Sequence, residues 1–174
     1  MAYTNRHFIK NFLEQHVSTG QIVIDGFAKE GQNTRFLASR VGKDGQVLSF
    51  HDTKEEANKT AASLFMVGLQ DRATILNGGL SDASLKQELG HLTKVDLIVF
   101  DYMDDTVDED TIEEAVSAAW PYLRAGGTLL LTVGAASKAA GSAVGEALDG
   151  VGSEATFTAV DGQSVLLEKE ASED

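Results

Sequence analysis

Short apolar runs alternate with segments of helical periodicity along most of this chain. The runs have the length of buried strands and cover residues 22–25, 46–50, 73–76, 95–100 and 128–133. Apolar residues recur at helical spacing before the first run, at Phe8, Ile9, Phe12, Leu13 and Val17, and after the second run, at Ala57, Ala61, Leu64 and Phe65. Strands that alternate with helices predict an α/β fold with a mostly parallel sheet.

The last part of the chain departs from this alternation. A stretch of small residues at 134–145 predicts a loop and a loosely packed helix, and two strands follow at 154–160 and 164–168. The turn residues Asp161 and Gly162 separate these strands, which predicts an antiparallel hairpin. We therefore predict one domain over residues 1–174: a Rossmann-like seven-stranded sheet, mostly parallel, with helices on both faces and the hairpin at one edge.

The composition excludes several kinds of chemistry. The chain of 174 residues contains no cysteine, so disulfides, thiolate nucleophiles and cysteine metal sites are excluded. No apolar run approaches the roughly 18 residues that a membrane span requires. The N-terminus lacks the apolar core of a signal peptide, so we expect a cytoplasmic protein without a membrane partner.

The charge is strongly negative and unevenly distributed. The formal net charge is −13, yet residues 1–59 hold eight Lys/Arg against seven Asp/Glu. An acidic protein repels phosphate backbones, so a nucleic-acid partner would have to bind a patch in the N-terminal part. The acidic run at 104–114 resembles a calcium loop, but Glu109 stands where an EF-hand needs glycine and Ala115 where it needs glutamate. A solvated loop leading into a helix is the better interpretation.

Acidic residues follow three of the predicted strands. Asp25 closes the first, Asp52 follows the second after His51, and Asp101 closes the fourth. Because the carboxyl ends of parallel strands meet at one edge of a sheet, we expect these carboxylates to border one crevice. Taken singly, Asp25 could cap the following turn and Asp52 could form an Asx turn. Their joint placement indicates a site.

The usual motifs of other enzyme classes are missing. No G-x-G-x-x-G follows the first strand, which disfavours a nicotinamide dehydrogenase. The sequence also lacks G-x-x-x-x-G-K-[ST] of the P-loop and G-x-S-x-G of the hydrolase elbow.

The N-terminal segments HFIKNFL, VIDGFAKEGQNTRFLA and VGKDGQVLSF carry a resemblance to a known family. Together with the order of the elements, they resemble class I S-adenosylmethionine-dependent methyltransferases. More closely, they resemble the small bacterial rRNA-methylase-like family, which includes enzymes that methylate an aminomethyl-thiouridine at the tRNA wobble position. The match is collinear over nearly the whole chain, but its specific motifs lie in the first 60 residues.

The resemblance implies S-adenosylmethionine as cofactor and an RNA base as substrate, and it is compatible with a homodimer. It assigns the cofactor site to residues in the loops after the strands: Asp25, Gly26, Phe27, Lys29, Gly31, Asn33, Thr34, His51, Asp52, Gly79, Leu80 and Asp101. Asp52 or His51 would bind the ribose. Asp101 and Tyr102 are the catalytic candidates, which would hold the methionine ammonium or take a proton from an attacking amine. His7 matches a family histidine, or else it lies on an exposed helix face.

The departures from the family pattern support an alternative. Lys29 stands where the family has the first loop glycine, and His51 stands where it has an acid. The family's loops after the fourth and fifth strands, which carry substrate recognition, are replaced at 101–105 and 134–137. The alternative function is therefore a methyltransferase fold that has lost its cofactor and serves as a binding or interaction module.

Overall fold

The computed structural model describes residues 2–137 and 144–171. The helices are α1 Asn5–His16, α2 Gln32–Val41, α3 Lys54–Met66, α4 Asp82–Leu89 and α5 Glu109–Ala119. The strands are β1 Ile22–Asp25, β2 Gln46–His51, β3 Ala73–Asn77, β4 Val95–Tyr102, β5 Leu123–Gly134, β6 Val151–Ala159 and β7 Gly162–Lys169. The helix predicted within 134–145 falls largely outside the described residues, which form short 3₁₀ turns at Ala135–Ser137 and Val144–Ala147.

The strands of the described residues form one sheet in the order β3-β2-β1-β4-β5-β7-β6. Strands β1 to β5 pair in parallel, and β7 runs antiparallel between β5 and β6. The seven-stranded, mostly parallel sheet with a hairpin at one edge is therefore confirmed. The chain leaves β1 toward β2 on one side and returns to β4 on the other, so the order reverses between β1 and β4. This reversal opens a crevice at the carboxyl ends of both strands.

Helices cover the sheet on both faces, as predicted. On one face, α4 and α5 pack Leu85 and Ile112 against Phe100 of β4. On the other, α1 and α2 pack Leu13 and Leu37 against the sheet. Strands β1 and β4 are buried on both faces, and this is why they consist of nearly uninterrupted apolar residues.

The first helix begins with a capping box. The Thr4 side chain accepts from the backbone N–H of His7, and the His7 ring accepts from the backbone N–H of Thr4. His7 is exposed, so the structure favours the exposed-face interpretation. None of the helices in the described ranges is long and apolar enough to pass through a bilayer.

The buried face of α3 differs from the prediction. Ala57 and Leu64 are buried, but Ala61 and Phe65 are exposed, and Thr60 is buried instead. Thr60 lies directly against Gly31 at the start of α2, and this contact fixes the rotation of α3 about its axis. Periodicity alone could not distinguish the two rotations, since residues 60 and 61 are adjacent on the helix.

Candidate functional site

Two cavities occupy the crevice at the carboxyl ends of the parallel strands. One, called here the Asp52 pocket, has a volume of about 480 Å³. It is lined in part by Gly26, Phe27, Asp52, Gly79, Leu80 and Tyr102. The other, called here the Asp101 pocket, has a volume of about 360 Å³ and is lined in part by Phe27, Lys29, Asn33, Glu56, Asp101 and Asp104. Phe27 lines both, so the two pockets meet at its ring.

The carboxylate of Asp25 lies beneath the loop after β1. Its Oδ2 is 2.8 Å from the Thr34 hydroxyl. Its Oδ1 is buried and has no hydrogen-bond partner within the described part of the chain. Burial raises the pKa of Asp25 to about 7, the Thr34 hydrogen bond opposes this shift, and the Asp101 charge adds to it. Asp25 is therefore a buried carboxyl group beneath the loop, and a hydrogen bond from the Phe27 backbone N–H, which lowers its pKa, is compatible with a cap of the following turn.

Lys29 has a backbone conformation that favours glycine. Its φ is +52°, in the left-handed region that side chains disfavour. Its amino group donates to Asp105 Oδ2 at 2.7 Å, and this hydrogen bond raises the pKa of Lys29, although burial opposes the shift. Lys29 lines the Asp101 pocket and Asp105 lines the Asp52 pocket, so this ion pair joins the walls of the two cavities.

Gly31 ends this loop and begins α2. Its φ is +88°, and a Cβ there would lie 2.5 Å from the Thr60 side chain. Both the conformation and the close approach of α3 require glycine at this position. The backbone path of the loop is therefore fixed by α3 on its outer side.

The end of β2 presents Asp52 to the crevice but not His51. Asp52 is exposed, whereas His51 is 1% exposed. His51 Nε2 lies 2.8 Å from Ser49 Oγ, and His51 Nδ1 lies 2.7 Å from Lys29 O. With both ring nitrogens engaged inside the protein, His51 has no group left for a ribose hydroxyl. The assignment of His51 as a ribose contact is thus disfavoured, and Asp52 is the candidate that remains.

The turn after β3 completes the Asp52 pocket. The backbone N–H groups of Gly78 and Gly79 both donate to His51 O, at 2.8 and 3.0 Å. The Cα of Gly79 faces Asp52, since a Cβ on this residue would lie 3.2 Å from Asp52 Oδ1. Leu80 follows in the wall of the pocket. This turn therefore brings an apolar side chain and a carboxylate to one cavity.

The two catalytic candidates at the end of β4 point to different pockets, because successive residues of a strand face opposite sides. Asp101 accepts from the Asn33 amide at 2.8 Å and from the backbone N–H of Met103 at 3.1 Å, and it lines the Asp101 pocket. Tyr102 lines the Asp52 pocket and packs its ring 4.7 Å from that of Phe27. Burial, with the Asp52 charge, raises the pKa of Tyr102 well above its usual range, so its phenol stays protonated and cannot act as a base near neutral pH.

Sequence reasoning missed two residues that shape the site. Ser49 is a polar residue within an otherwise apolar strand, and that contrast could have singled it out. Asp105 belongs to the acidic run and to the replaced loop at 101–105, but the sequence assigns it no individual role. Its pairing with Lys29 joins positions 76 residues apart, so no local pattern could reveal it.

The acidic loop after β4 caps the helix that follows it. Asp108 caps α5 by accepting from the backbone N–H of Thr111 at 2.8 Å. In the ranges that the structure describes, no group of three or more histidine or acidic side chains is arranged to hold a metal ion.

No protein-family model and no curated protein sequence matches the chain. Solved structures do match it. A proposed rRNA methylase from Clostridium thermocellum is 18% identical with a TM-score of 0.81, over 97% of this chain and 99% of that one. An rRNA methylase from Streptococcus thermophilus is 20% identical with a TM-score of 0.75, over 98% and 99% of the two chains.

A third solved structure, a proposed methyltransferase from Streptococcus mutans in complex with SAH, is 18% identical with a TM-score of 0.76, over 97% of this chain and 99% of that one. At such identities the similarity establishes the fold. The chain therefore has the α/β fold of these methyltransferases over nearly its whole described length, with its crevice at the reversal of strand order.

Proposed function

We propose that this protein is an S-adenosylmethionine-dependent methyltransferase whose cofactor lies across the Asp52 and Asp101 pockets. The observation that carries the proposal is the exposed carboxylate of Asp52 at the end of β2, beside the Gly78-Gly79 turn and Leu80. A carboxylate can accept hydrogen bonds from both hydroxyls of a ribose, and an apolar wall suits an adenine ring. The similarity to structures solved with SAH or SAM supports this arrangement.

The residues present fit both ends of such a cofactor. When bound, the cofactor supplies a methyl group that its sulfonium already activates, so the chain has mainly to bind and align. In the Asp101 pocket, the carboxylate of Asp101 is held by Asn33 and can pair with an ammonium group. Asp25, whose Oδ1 has no hydrogen-bond partner in the described part of the chain, lies buried beneath the same loop.

Calorimetric titration with S-adenosylmethionine and with its demethylated product tests this proposal. We expect Asp52→Ala to weaken binding by about 1–3 kcal/mol, the cost of leaving ribose hydroxyls unpaired. Asp71→Ala is the matched control, since Asp71 is exposed at the opposite end of the sheet before β3. Equal affinities in wild type and Asp52→Ala would remove the ribose role from Asp52.

The alternative, a binding module without cofactor, is favoured by one observation. The Lys29–Asp105 pair joins the two pockets at the place where a ligand would pass between them. If the pair obstructs the cofactor, Lys29→Gly and Asp105→Asn should both strengthen binding, because either change removes the ion pair. If neither the wild type nor these variants bind the cofactor, the binding-module function replaces the enzymatic one.

For the substrate, we propose an RNA base that approaches over α1 and α2. Together these helices carry the cations Arg6, Lys10, Arg35 and Arg40 against the single acid Glu14. A groove of about 380 Å³ between them includes Lys10 and Phe36 and reaches Asp101. Arg6 in this groove is paired with Asp104, so Lys10 is the cation that the groove offers to a phosphate, and Phe36 suits a base. Two of the similar structures, a proposed rRNA methylase and an rRNA methylase, support the same substrate class.

A further inference from the structure

Four hydrogen-bonded contacts run in series beneath the loop after β1, and we call them the Asp25–His51 chain. Thr34 Oγ1 lies 2.8 Å from Asp25 Oδ2 and 2.8 Å from Ser49 Oγ. Ser49 Oγ lies 2.8 Å from His51 Nε2, and His51 Nδ1 lies 2.7 Å from Lys29 O. The four side chains are at most 1% exposed, so their hydrogens must be supplied within the protein.

A count of the hydrogens in the Asp25–His51 chain gives the number of protons that Asp25 and His51 hold. A carbonyl oxygen only accepts, so His51 Nδ1 carries a hydrogen and donates to Lys29 O. With the hydroxyls of Thr34 and Ser49, this gives three hydrogens for four contacts. One further proton completes the chain. If Asp25 carries this proton, Asp25 donates to Thr34, Thr34 to Ser49 and Ser49 to His51 Nε2. If His51 Nε2 carries it, the direction is reversed: His51 donates to Ser49, Ser49 to Thr34 and Thr34 to Asp25.

Any other number of protons leaves a second buried group unsatisfied, in addition to Asp25 Oδ1. Without the further proton, one contact brings two lone pairs face to face. With two further protons, one hydrogen has no acceptor. Both states carry the cost of an unpaired buried polar group, so the state with one shared proton is the stable one.

The charges around the two ends agree with this state. Asp101 on β4 faces Asp25, while Glu56 on α3 and Asp52 after β2 face His51. Burial raises the pKa of Asp25 to about 7 and lowers that of His51, with the Lys29 carbonyl opposing the latter shift. Below about pH 7 the raised pKa of Asp25 favours its uncharged form, and the lowered pKa of His51 favours the neutral imidazole, so that the two groups together hold one proton.

Lys29 is held at this chain by its backbone only. Its carbonyl accepts from His51 and from the Thr60 hydroxyl at 3.4 Å, while its amino group is paired with Asp105 on the crevice side. The conformation of the loop after β1 thus depends on the His51 end of the Asp25–His51 chain.

We propose that Asp25 and His51 share one proton through Thr34 and Ser49, and that His51 is a positioning residue that holds the Lys29 carbonyl, and with it the cofactor loop, while this proton is present. Loss of the proton at alkaline pH leaves the chain incomplete and releases the loop. Cofactor affinity then falls. This last consequence rests on the proposed function, whereas the shared proton does not.

Nitrogen NMR of the full-length protein, labelled with ¹⁵N-histidine, tests the hydrogen-bond pattern at the His51 end of the Asp25–His51 chain. His51→Gln identifies the His51 signals by their absence. We expect wild-type His51 at neutral pH to carry its hydrogen on Nδ1, with Nε2 accepting. Ser49→Ala should remove the hydrogen-bond shift at Nε2. Ser164→Ala should leave the His51 signals unchanged, since Ser164 belongs to a separate buried hydroxyl pair with Thr132 at 2.9 Å. A hydrogen on Nε2 alone in the neutral wild type would overturn the inference.

Asp25→Asn tests the dependence on pH. The carboxamide supplies a permanent donor to Thr34, so the chain stays complete at every pH. We expect wild-type affinity for S-adenosylmethionine to fall at least tenfold from pH 6 to pH 9, and that of Asp25→Asn to change less than twofold. A wild-type affinity that is independent of pH overturns the role of His51 in the loop. If neither protein binds the cofactor at any pH, the proposed function fails. The shared proton is then decided by the His51 Nε2 signal, which should change between pH 6 and pH 9 in wild type but not in Asp25→Asn; a signal that changes equally in both proteins overturns the inference.

Discussion

Lys29 shows how a single position can carry both strain and a stabilising contact. Its left-handed backbone costs roughly 1–2 kcal/mol for a residue with a side chain. Its ion pair with Asp105 is partly exposed, with side chains 37% and 33% accessible, so it contributes about 0.2–1 kcal/mol. The strain is therefore the larger of the two effects.

Replacing Lys29 separates these effects. Lys29→Ala loses the ion pair but keeps a Cβ in the left-handed conformation, whereas Lys29→Gly loses the pair and the strain together. We expect Lys29→Gly to have a free energy of unfolding about 1 kcal/mol higher than Lys29→Ala, as measured by urea denaturation. Equal stability of the two variants would show that the loop relaxes around a side chain without cost.

Asp25 should make the stability of the protein depend on pH. Its pKa is about 7 in the folded chain and 3.8 without burial, so the folded state retains a proton that the unfolded state releases in between. The free energy of unfolding should therefore fall as pH rises from about 4 to about 7, by up to about 4 kcal/mol from this group. His51 makes the opposite contribution. Because its pKa is lowered, the unfolded state binds a proton that the folded state does not, so the free energy of unfolding rises with pH up to the ordinary pKa of 6.5.

Asp25→Asn isolates the carboxyl group. The difference in the free energy of unfolding between Asp25→Asn and wild type should increase from pH 5 to pH 7 and then level off. Urea denaturation at each pH measures it, and Asp71→Asn serves as the control because Asp71 is exposed. A difference that does not change with pH would mean that Asp25 is ionised throughout.

Among the helices, α3 has an apolar stripe that does not coincide with its buried face. Leu64 is 1% exposed, while the next residue, Phe65, is 71% exposed. We expect Leu64→Ala to lower the free energy of unfolding by about 2–5 kcal/mol and Phe65→Ser to change it by less than about 0.5 kcal/mol. Chemical denaturation of both variants measures the two effects, and a large loss in Phe65→Ser would place its ring in a contact that the fold does not show.

The strands were easier to predict than the contacts between them. Runs such as 95–100 and 46–50 fall within β4 and β2, since a strand buried on both faces needs apolar residues throughout. The hairpin followed from Asp161 and Gly162. The sequence could not reveal that Thr60 sets the rotation of α3, because that choice depends on a contact with Gly31 in another element.

Across the whole molecule, the reversal of strand order predicts a crevice at the carboxyl ends of the parallel strands, and the structure has two pockets there. Asp52 lines one, Asp101 lines the other, and Asp25 is buried beneath the loop after β1. The sequence did not show that Asp52 faces the crevice at the end of β2 while His51 is buried. Whether His51 or Asp52 faces the crevice depends on the hydrogen bonds of His51 with Ser49 and Lys29, which only the folded chain brings together. Side-chain direction at a strand end is decided by such partners and not by residue type.

Charge is also a property of the whole molecule, and it gives a test of the RNA proposal. Lys10 lies on α1 and Lys86 on α4, and these helices cover opposite faces of the sheet. Both lysines are exposed, and replacement of either by glutamate changes the net charge from −13 by the same amount. Their long-range fields are therefore matched, and any difference between the variants reports the location of the RNA.

We expect Lys10→Glu to weaken binding of a transfer RNA more than Lys86→Glu does, because only Lys10 borders the groove that reaches Asp101. The loss of one phosphate contact should also reduce the slope of log affinity against log salt concentration by about 1. Filter binding over a series of salt concentrations measures both quantities. Equal losses in the two variants would mean that the acidic field of the whole protein, and not a patch on α1 and α2, determines the affinity. Such a result would favour a substrate without a phosphate backbone, since net charge of this sign opposes nucleic-acid binding wherever a local cation does not compensate it.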